Sequence, residues 1–147
     1  MSPVTFTNTI TIDRAPADVF AYLSEFENIP RWNYAIAETR KISEGPVGVG
    51  TRCRQIRTVP NRTEEYFEVI EFEPERALAI RGDTGPFSAD IAYLLEHVQG
   101  ATVLKNTCSL RARGAAGLVA PLLTRRVRSA VAAHLGVLQQ LLERGET

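Results

Sequence analysis

The sequence contains little of what metal sites and disulfide frameworks require. Its 147 residues include only two cysteines, two histidines and a single tryptophan, Trp32. Cys53 and Cys108 stand far apart in strand-like segments, which predicts free, buried thiols and a reducing, cytoplasmic location. Because neither CxxC nor HExxH occurs, no metal and no other cofactor is expected.

Long apolar runs are also missing, so no membrane-spanning helix is predicted. The first residues, MSPVTFTNTI, lack a basic head followed by an apolar run, and no signal peptide is expected. Hydrophobic residues make up 44% of the chain, and 17 basic residues balance 17 acidic ones. This composition is typical of one globular domain over residues 1–147.

Charge is nevertheless uneven along the chain. Residues 64–75 carry six glutamates and no base, whereas residues 97–142 carry six lysines and arginines and no acid. Solvated faces of a sheet and a helix would explain both runs, and a basic surface for an anionic partner is the alternative. Since the net charge is zero and no nucleic-acid motif is present, no nucleic-acid partner is predicted.

Strand and helix patterns follow one another in a simple order. Strict alternation over residues 5–12 predicts a half-buried strand, and Pro16 and Asp18 suit the first turn of the helix that follows. A second short helix is expected over residues 26–32, with a break before Pro30. Six strands follow, separated by short turn-like gaps that are typical of antiparallel neighbours. They are predicted over residues 36–42, 51–59, 64–72, 77–82, 88–98 and 101–113.

The last segment, residues 118–143, predicts a long amphipathic helix. Pro121 lies in its first turn, and Gly145 lies just beyond its end. An apolar face that could cover a twisted antiparallel sheet is predicted from the helical period. Its members are Ala120, Leu123, Val127, Ala130, Val131, His134, Leu138 and Leu141.

This order of elements resembles the START-like superfamily, also called Bet v 1-like or SRPBCC, and in particular its bacterial members of the polyketide cyclase/dehydrase and lipid transport type. The resemblance rests on residues 10–33, 45–54, 68–81, 92–106 and 138–143, beginning with ITIDRAPADVFAYLSEFENIPRWN. It covers essentially the whole chain. It implies an α+β helix-grip fold, in which a seven-stranded curved antiparallel sheet wraps a long C-terminal helix and two short helices follow the first strand. A cavity between sheet and helix is implied as well.

Strand parity, together with the resemblance, predicts which side chains line that cavity. Cys53, Gln55 and Arg57 are oriented inward, whereas the facing of residues 64–72 stays open because glutamates fall on both faces; a bulge would explain this. The candidate ligand-binding residues are Trp32, Tyr34, Ile36, Gln55, Arg57, Phe67, Tyr93, Asn106, Cys108, Val127, Val131 and His134.

Five of these candidates have competing interpretations. Tyr93 and Asn106 are either core groups with satisfied hydrogen bonds or ligand contacts. Trp32 either fixes the short helices onto the sheet or contacts a ligand, and its N–H needs a partner. His134 is either a neutral core histidine or a hydrogen-bond or proton partner of a ligand. Arg57 pairs with a glutamate, reaches solvent, or meets an anionic or carbonyl group of a ligand, because burying it alone would be costly.

The resulting interpretation is a carrier or sensor of a small hydrophobic ligand, such as a lipid, a polyketide-like molecule or another apolar metabolite. The alternative is a polyketide cyclase or aromatase, with Tyr93 or His134 moving protons and Arg57 polarising a carbonyl. A third possibility is a protein-interaction module of the co-chaperone or toxin/antitoxin type. Fold alone does not choose between them, and no diagnostic catalytic motif is present. Ligand identity and oligomeric state stay open.

Overall fold

The structure, a computed structural model, describes residues 3–85, 87–112 and 120–145. Seven strands, three α-helices and one 3-10 helix lie in these ranges. In chain order they are β1 (Val4–Ile12), α1 (Pro16–Ser24), the 3-10 helix (Phe26–Asn28), α2 (Ile29–Trp32), β2 (Ile36–Lys41), β3 (Arg52–Arg57), β4 (Thr63–Glu73), β5 (Ala77–Thr84), β6 (Phe87–Val98), β7 (Ala101–Ala112) and α3 (Ala120–Arg144).

The strands form a single antiparallel sheet in the order β1-β7-β6-β5-β4-β3-β2. Strands β2 to β7 are a meander, and β1 joins it beside β7, with Phe6 opposite Cys108. This arrangement, closed by α3, is the predicted helix-grip fold. Residues 118 and 119, where the last helix was expected to begin, lie outside the described residues.

Strand β4 contains the bulge that its glutamate pattern suggested. Its register with β5 shifts between Val69 and Glu71. Before the shift Glu65, Phe67 and Val69 are buried, and after it Phe72 packs against the core. The extra residue reverses the alternation of the strand, which explains why glutamates fall on both faces of a regular pattern.

The predicted break before Pro30 is wrong. Ile29 is helical, with φ −50° and ψ −45°, rather than extended. Pro30 lies in the first turn of α2, where its missing N–H leaves no hydrogen bond unmade. The chain therefore passes from a 3-10 turn directly into α2, and this short helix ends at the buried Trp32.

The hydrophobic core fills one end of the space between α3 and the sheet. Leu135, Leu138 and Leu142 are at most 1% exposed and pack in a cluster with side chains of α1 and of the sheet. Of these three leucines, the predicted apolar face of α3 included only Leu138. The side chains of its members Ala120 and Leu123 lie outside the described residues. A smaller cluster under the amino-terminal half of α3 contains Phe6, Phe87, Ala89, Cys108 and Leu110.

Both cysteines are free and buried, as predicted.

Candidate ligand-binding cavity

A cavity of about 430 Å³ lies between the amino-terminal half of α3 and the sheet. Strands β3 to β7, α3 and the segment from Ile29 to Ala35 contribute its walls, which are mainly apolar. A volume of this size lies within the range of small-molecule sites in proteins. The hollow that the resemblance implied is therefore present.

Eleven of the twelve candidate residues border this cavity. They are Trp32, Tyr34, Gln55, Arg57, Phe67, Tyr93, Asn106, Cys108, Val127, Val131 and His134. The structure thus brings these side chains together from distant parts of the chain, while their role in binding stays a prediction.

Ile36 is the exception, and Tyr34 borders the cavity only at its mouth. Ile36 is buried but does not border the cavity, where its neighbour Ala35 lies instead. The Ala35 N–H donates to Asn33 Oδ1 at 3.0 Å in a turn that precedes β2, so strand alternation does not extend back to Tyr34. Tyr34 is consequently 66% exposed and lies at the cavity mouth rather than in the interior.

Trp32 and His134, two residues of the wall, each have a buried ring nitrogen without a hydrogen-bond partner. Within the described residues, neither Trp32 Nε1 nor His134 Nε2 has an acceptor or donor in reach. The imidazole ring also meets the edge of Tyr34, with ring centroids 4.9 Å apart. A buried polar group without a partner costs about 1–3 kcal/mol. A ligand oxygen would relieve this cost only after a small rotation of either ring, because both nitrogens have almost no accessible surface.

Burial also determines the charge of His134. Desolvation, and secondarily the nearby Arg57 cation, lower the pKa of His134 to about 4. The imidazole is therefore neutral at pH 7. A neutral imidazole has one donor and one acceptor nitrogen, and can match either a hydroxyl or a carbonyl group.

Arg57 pairs with a buried glutamate, which was one of the interpretations left open. Its Nε donates to Glu65 Oε2 at 2.8 Å, and its Nη2 donates to Thr84 Oγ1 at 2.9 Å. Glu65 also accepts hydrogen bonds from Gln55 Nε2 at 3.0 Å and from the Gly85 N–H at 2.8 Å. The side chains of Arg57 and Glu65 are 12% and 4% exposed. The pair is thus a buried, hydrogen-bonded unit in the wall of the site.

Glu65 was missed among the candidates from sequence. The signal that could have found it is the pairing of β3 with β4, which places Gln55 opposite Glu65. An inward glutamine with an inward arginine two residues later needs an acceptor on the next strand. The sequence alone does not show which residues of β4 point inward, so the acceptor could not be assigned.

Three further polar side chains of the wall, Asn106, Cys108 and Tyr93, are uncharged. Asn106 donates to the Ala92 carbonyl at 3.3 Å and accepts from Cys108 Sγ at 3.4 Å. Burial raises the pKa of the Cys108 thiol to about 12, and it also raises the pKa of Tyr93. Both side chains are therefore protonated at pH 7.

Gly82 in β5 forms part of the wall because no side chain fits there. A Cβ at this position would lie 2.3 Å from the Tyr66 carbonyl oxygen and 2.6 Å from Phe67 Cβ. Glycine thus permits the close approach of β5 to β4 beside the cavity.

Within the described ranges, no group of three or more histidine, cysteine or acidic side chains is placed to hold a metal ion. Among the helices of the same ranges, none combines the length and apolarity needed to cross a membrane.

A long helix gripped by a curved sheet, with an apolar cavity between them, defines a Bet v 1-like hydrophobic-ligand-binding fold. The model of one family, polyketide cyclase/dehydrase and lipid transport, matches residues 3–143. The chain belongs to this family, within the SRPBCC superfamily.

Solved structures agree with this assignment. The aromatase/cyclase Zhui from Streptomyces sp. R1128 is 16% identical, with a TM-score of 0.83 over 99% of this chain and 96% of that one. The protein TTHA0849 from Thermus thermophilus is 14% identical, with a TM-score of 0.81 over 98% and 100% of the two chains. Ara h 8.0201 is 16% identical, with a TM-score of 0.68 over 94% and 99%. At these identities the similarity shows the fold alone. A comparison with curated proteins gives no match.

Proposed function

We propose that this chain binds a small, mainly apolar ligand in the cavity between α3 and the sheet, as a carrier or sensor. The observation that carries the proposal is the cavity itself, about 430 Å³ with mainly apolar walls. Burying apolar ligand surface there contributes roughly 25 cal/mol per Å² to affinity. After a small ring rotation, the two unpartnered nitrogens, Trp32 Nε1 and His134 Nε2, would orient an oxygen of the ligand.

The titratable groups around the cavity favour binding over acid–base catalysis. A general acid or base works best when its pKa lies near the ambient pH. Burial instead lowers the pKa of His134 to about 4 and raises the pKa of Tyr93 above its ordinary value. The third catalytic candidate, Arg57, is already engaged by Glu65.

A cyclase or aromatase reaction is the second candidate function. One observation favours it, namely that Arg57, Tyr93 and His134 all border the same cavity. A ligand bound among them could be polarised by the guanidinium and exchange a proton with the imidazole.

A fluorescent-probe titration tests the binding proposal. Trp32, the only tryptophan in the chain, borders the cavity, so its emission should be quenched when the neutral apolar probe N-phenylnaphthylamine binds. Saturable quenching is expected for the native protein and for Val137→Phe, because Val137 is exposed on the same helix. Val131→Phe, which places the same added bulk in the cavity wall, should abolish it. If both variants bind the probe equally while circular dichroism shows them folded, the ligand site lies elsewhere.

A turnover assay separates the two candidates. A carrier should release a linear poly-β-ketone thioester unchanged after incubation. Cyclised product that disappears in His134→Ala, with probe binding and folding retained, would establish the enzyme instead.

A further inference from the structure

We infer that Glu65 is a specificity determinant: by neutralising Arg57 in the cavity wall, it makes the site select uncharged oxygen-bearing ligands over carboxylates and other anions. This inference rests on the proposed binding function. It concerns the chemical class of the ligand and a residue that does not itself border the cavity.

Arg57 uses only part of its hydrogen-bonding capacity within the protein. Arg57 uses Nε for Glu65 and Nη2 for Thr84. These two contacts occupy two of the five N–H donors that a guanidinium has. Arg57 can therefore still donate to a ligand oxygen while its positive charge is balanced by the carboxylate behind it.

The charged side chains around the cavity balance one another. Arg126 and Asp83 border the cavity as well, so two guanidinium groups are matched by two carboxylates, Asp83 and Glu65. His134 is neutral at pH 7 because burial lowers its pKa to about 4. Among the described residues, the site thus has no excess positive charge with which to bind an anion.

An anionic ligand beside Arg57 would be repelled by Glu65. A ligand carboxylate beside Arg57 would place two negative groups on one cation that is largely buried together with Glu65, and like charges that share such a partner repel. A carbonyl or hydroxyl oxygen would avoid this repulsion. It could still accept a hydrogen bond from one of the remaining N–H groups of Arg57.

The adjacent residue provides a matched control. Glu64 precedes Glu65 in β4 but points to the opposite, exposed face, where it pairs with Arg54 at 2.9 Å. Glu64→Gln and Glu65→Gln remove the same charge from neighbouring positions of one strand. Only the second leaves Arg57 uncompensated.

Two probes with one skeleton make the test. N-phenylnaphthylamine is neutral, and anilinonaphthalene sulfonate adds one negative charge to the same rings. The native protein should bind the neutral probe at least ~10-fold more tightly, since a buried uncompensated charge is costly. Glu65→Gln should raise the relative affinity of the sulfonate by ~10-fold or more, because an ionic hydrogen bond to the freed guanidinium becomes available. Glu64→Gln should leave the ratio unchanged.

A second variant keeps the test decisive if Glu65→Gln does not fold. Gln55→Lys adds a cation beside Glu65 while the carboxylate stays in place, and it should also raise the relative affinity of the sulfonate. A native protein that prefers the sulfonate, or a ratio that neither variant changes, overturns the inference while neutral-probe binding still supports the proposed function. A native protein that binds neither probe overturns both.

Discussion

The two halves of α3 lie on the same sheet, but one half covers a filled core and the other covers a cavity. In the carboxyl-terminal half, Leu135, Leu138 and Leu142 are almost completely buried in one continuous cluster. In the amino-terminal half, Val127 and Val131 are only partly buried and border a cavity. One helix therefore packs as a core element at one end and as a cavity wall at the other.

Side-chain volume explains the difference better than backbone architecture does. Over the carboxyl-terminal half, aromatic rings of the first helices reach the sheet, with Phe20–Phe72 and Phe26–Phe67 centroids each 5.3 Å apart. Aromatic residues such as Phe67 also line the cavity, but the apolar side chains that α3 contributes there are small, namely Val127, Ala130 and Val131. The hollow persists because α3 presents these small side chains where its carboxyl-terminal half presents leucines.

The largest expected effect comes from breaking the polar wall of the hollow half. Glu65→Gln should lower the free energy of unfolding by roughly 3–5 kcal/mol, because it leaves Arg57 buried without its counter-charge. Urea denaturation followed by circular dichroism measures this loss.

The control for this prediction is Glu64→Gln, whose partner Arg54 is solvent-exposed in part. Exposed ion pairs contribute little to stability, so this variant should unfold close to the native midpoint. Equal losses in the two variants would show that the wall of the cavity does not depend on the buried pair.

A smaller effect should separate the two halves of α3 directly. Leu138→Ala should cost about 3 kcal/mol, since it opens a new cavity in a filled region. Val131→Ala should cost about 1 kcal/mol, because it only enlarges a space that already exists. Urea midpoints of the two variants provide the measurement. If Val131→Ala is as destabilising as Leu138→Ala, the amino-terminal half is packed as tightly as the other.

The fold could be predicted because its signals are local. Alternation, turn residues and the helical period each depend on a few neighbouring positions, and together they specify seven strands and a long helix. The bulge in β4 was detectable only as an irregularity, since its place depends on pairing with β5. Leu135 and Leu142 were missed because the apolar face of α3 is wider than the set of residues that the helical period predicted for it.

The site was predictable where parity is unbroken and unpredictable where two strands must be aligned. Gln55 and Arg57 were assigned inward from β3 alone, and the structure places both at the cavity. Their partner Glu65 depends on the register of β3 against β4. Ile36 and Tyr34 were misplaced because the turn before β2 interrupts the alternation. Interactions between distant segments leave no signature in one sequence.

The effect that should be smallest at neutral pH concerns His134, which lies where the two halves of α3 meet. Its folded pKa is about 4, below the ordinary value of 6.5, chiefly because burial disfavours the imidazolium. The unfolded chain therefore binds a proton first as the pH falls. Stability from this group is complete above about pH 6.5 and is lost between that pH and about 4.

Replacing this histidine isolates its contribution from that of the carboxylates, which both proteins share. Between pH 6.5 and pH 4, His134→Gln should lose less stability than the native chain. The difference corresponds to about one proton per molecule, which the unfolded native chain binds at this histidine. Urea midpoints across this range measure the difference. Parallel curves would mean that the imidazole is as well solvated in the folded protein as in the unfolded chain. His134 would then belong to the hollow half of α3, and the filled half would begin at Leu135. A bound neutral ligand should extend the loss in the native curve to lower pH, because it covers part of the ring and disfavours the imidazolium further.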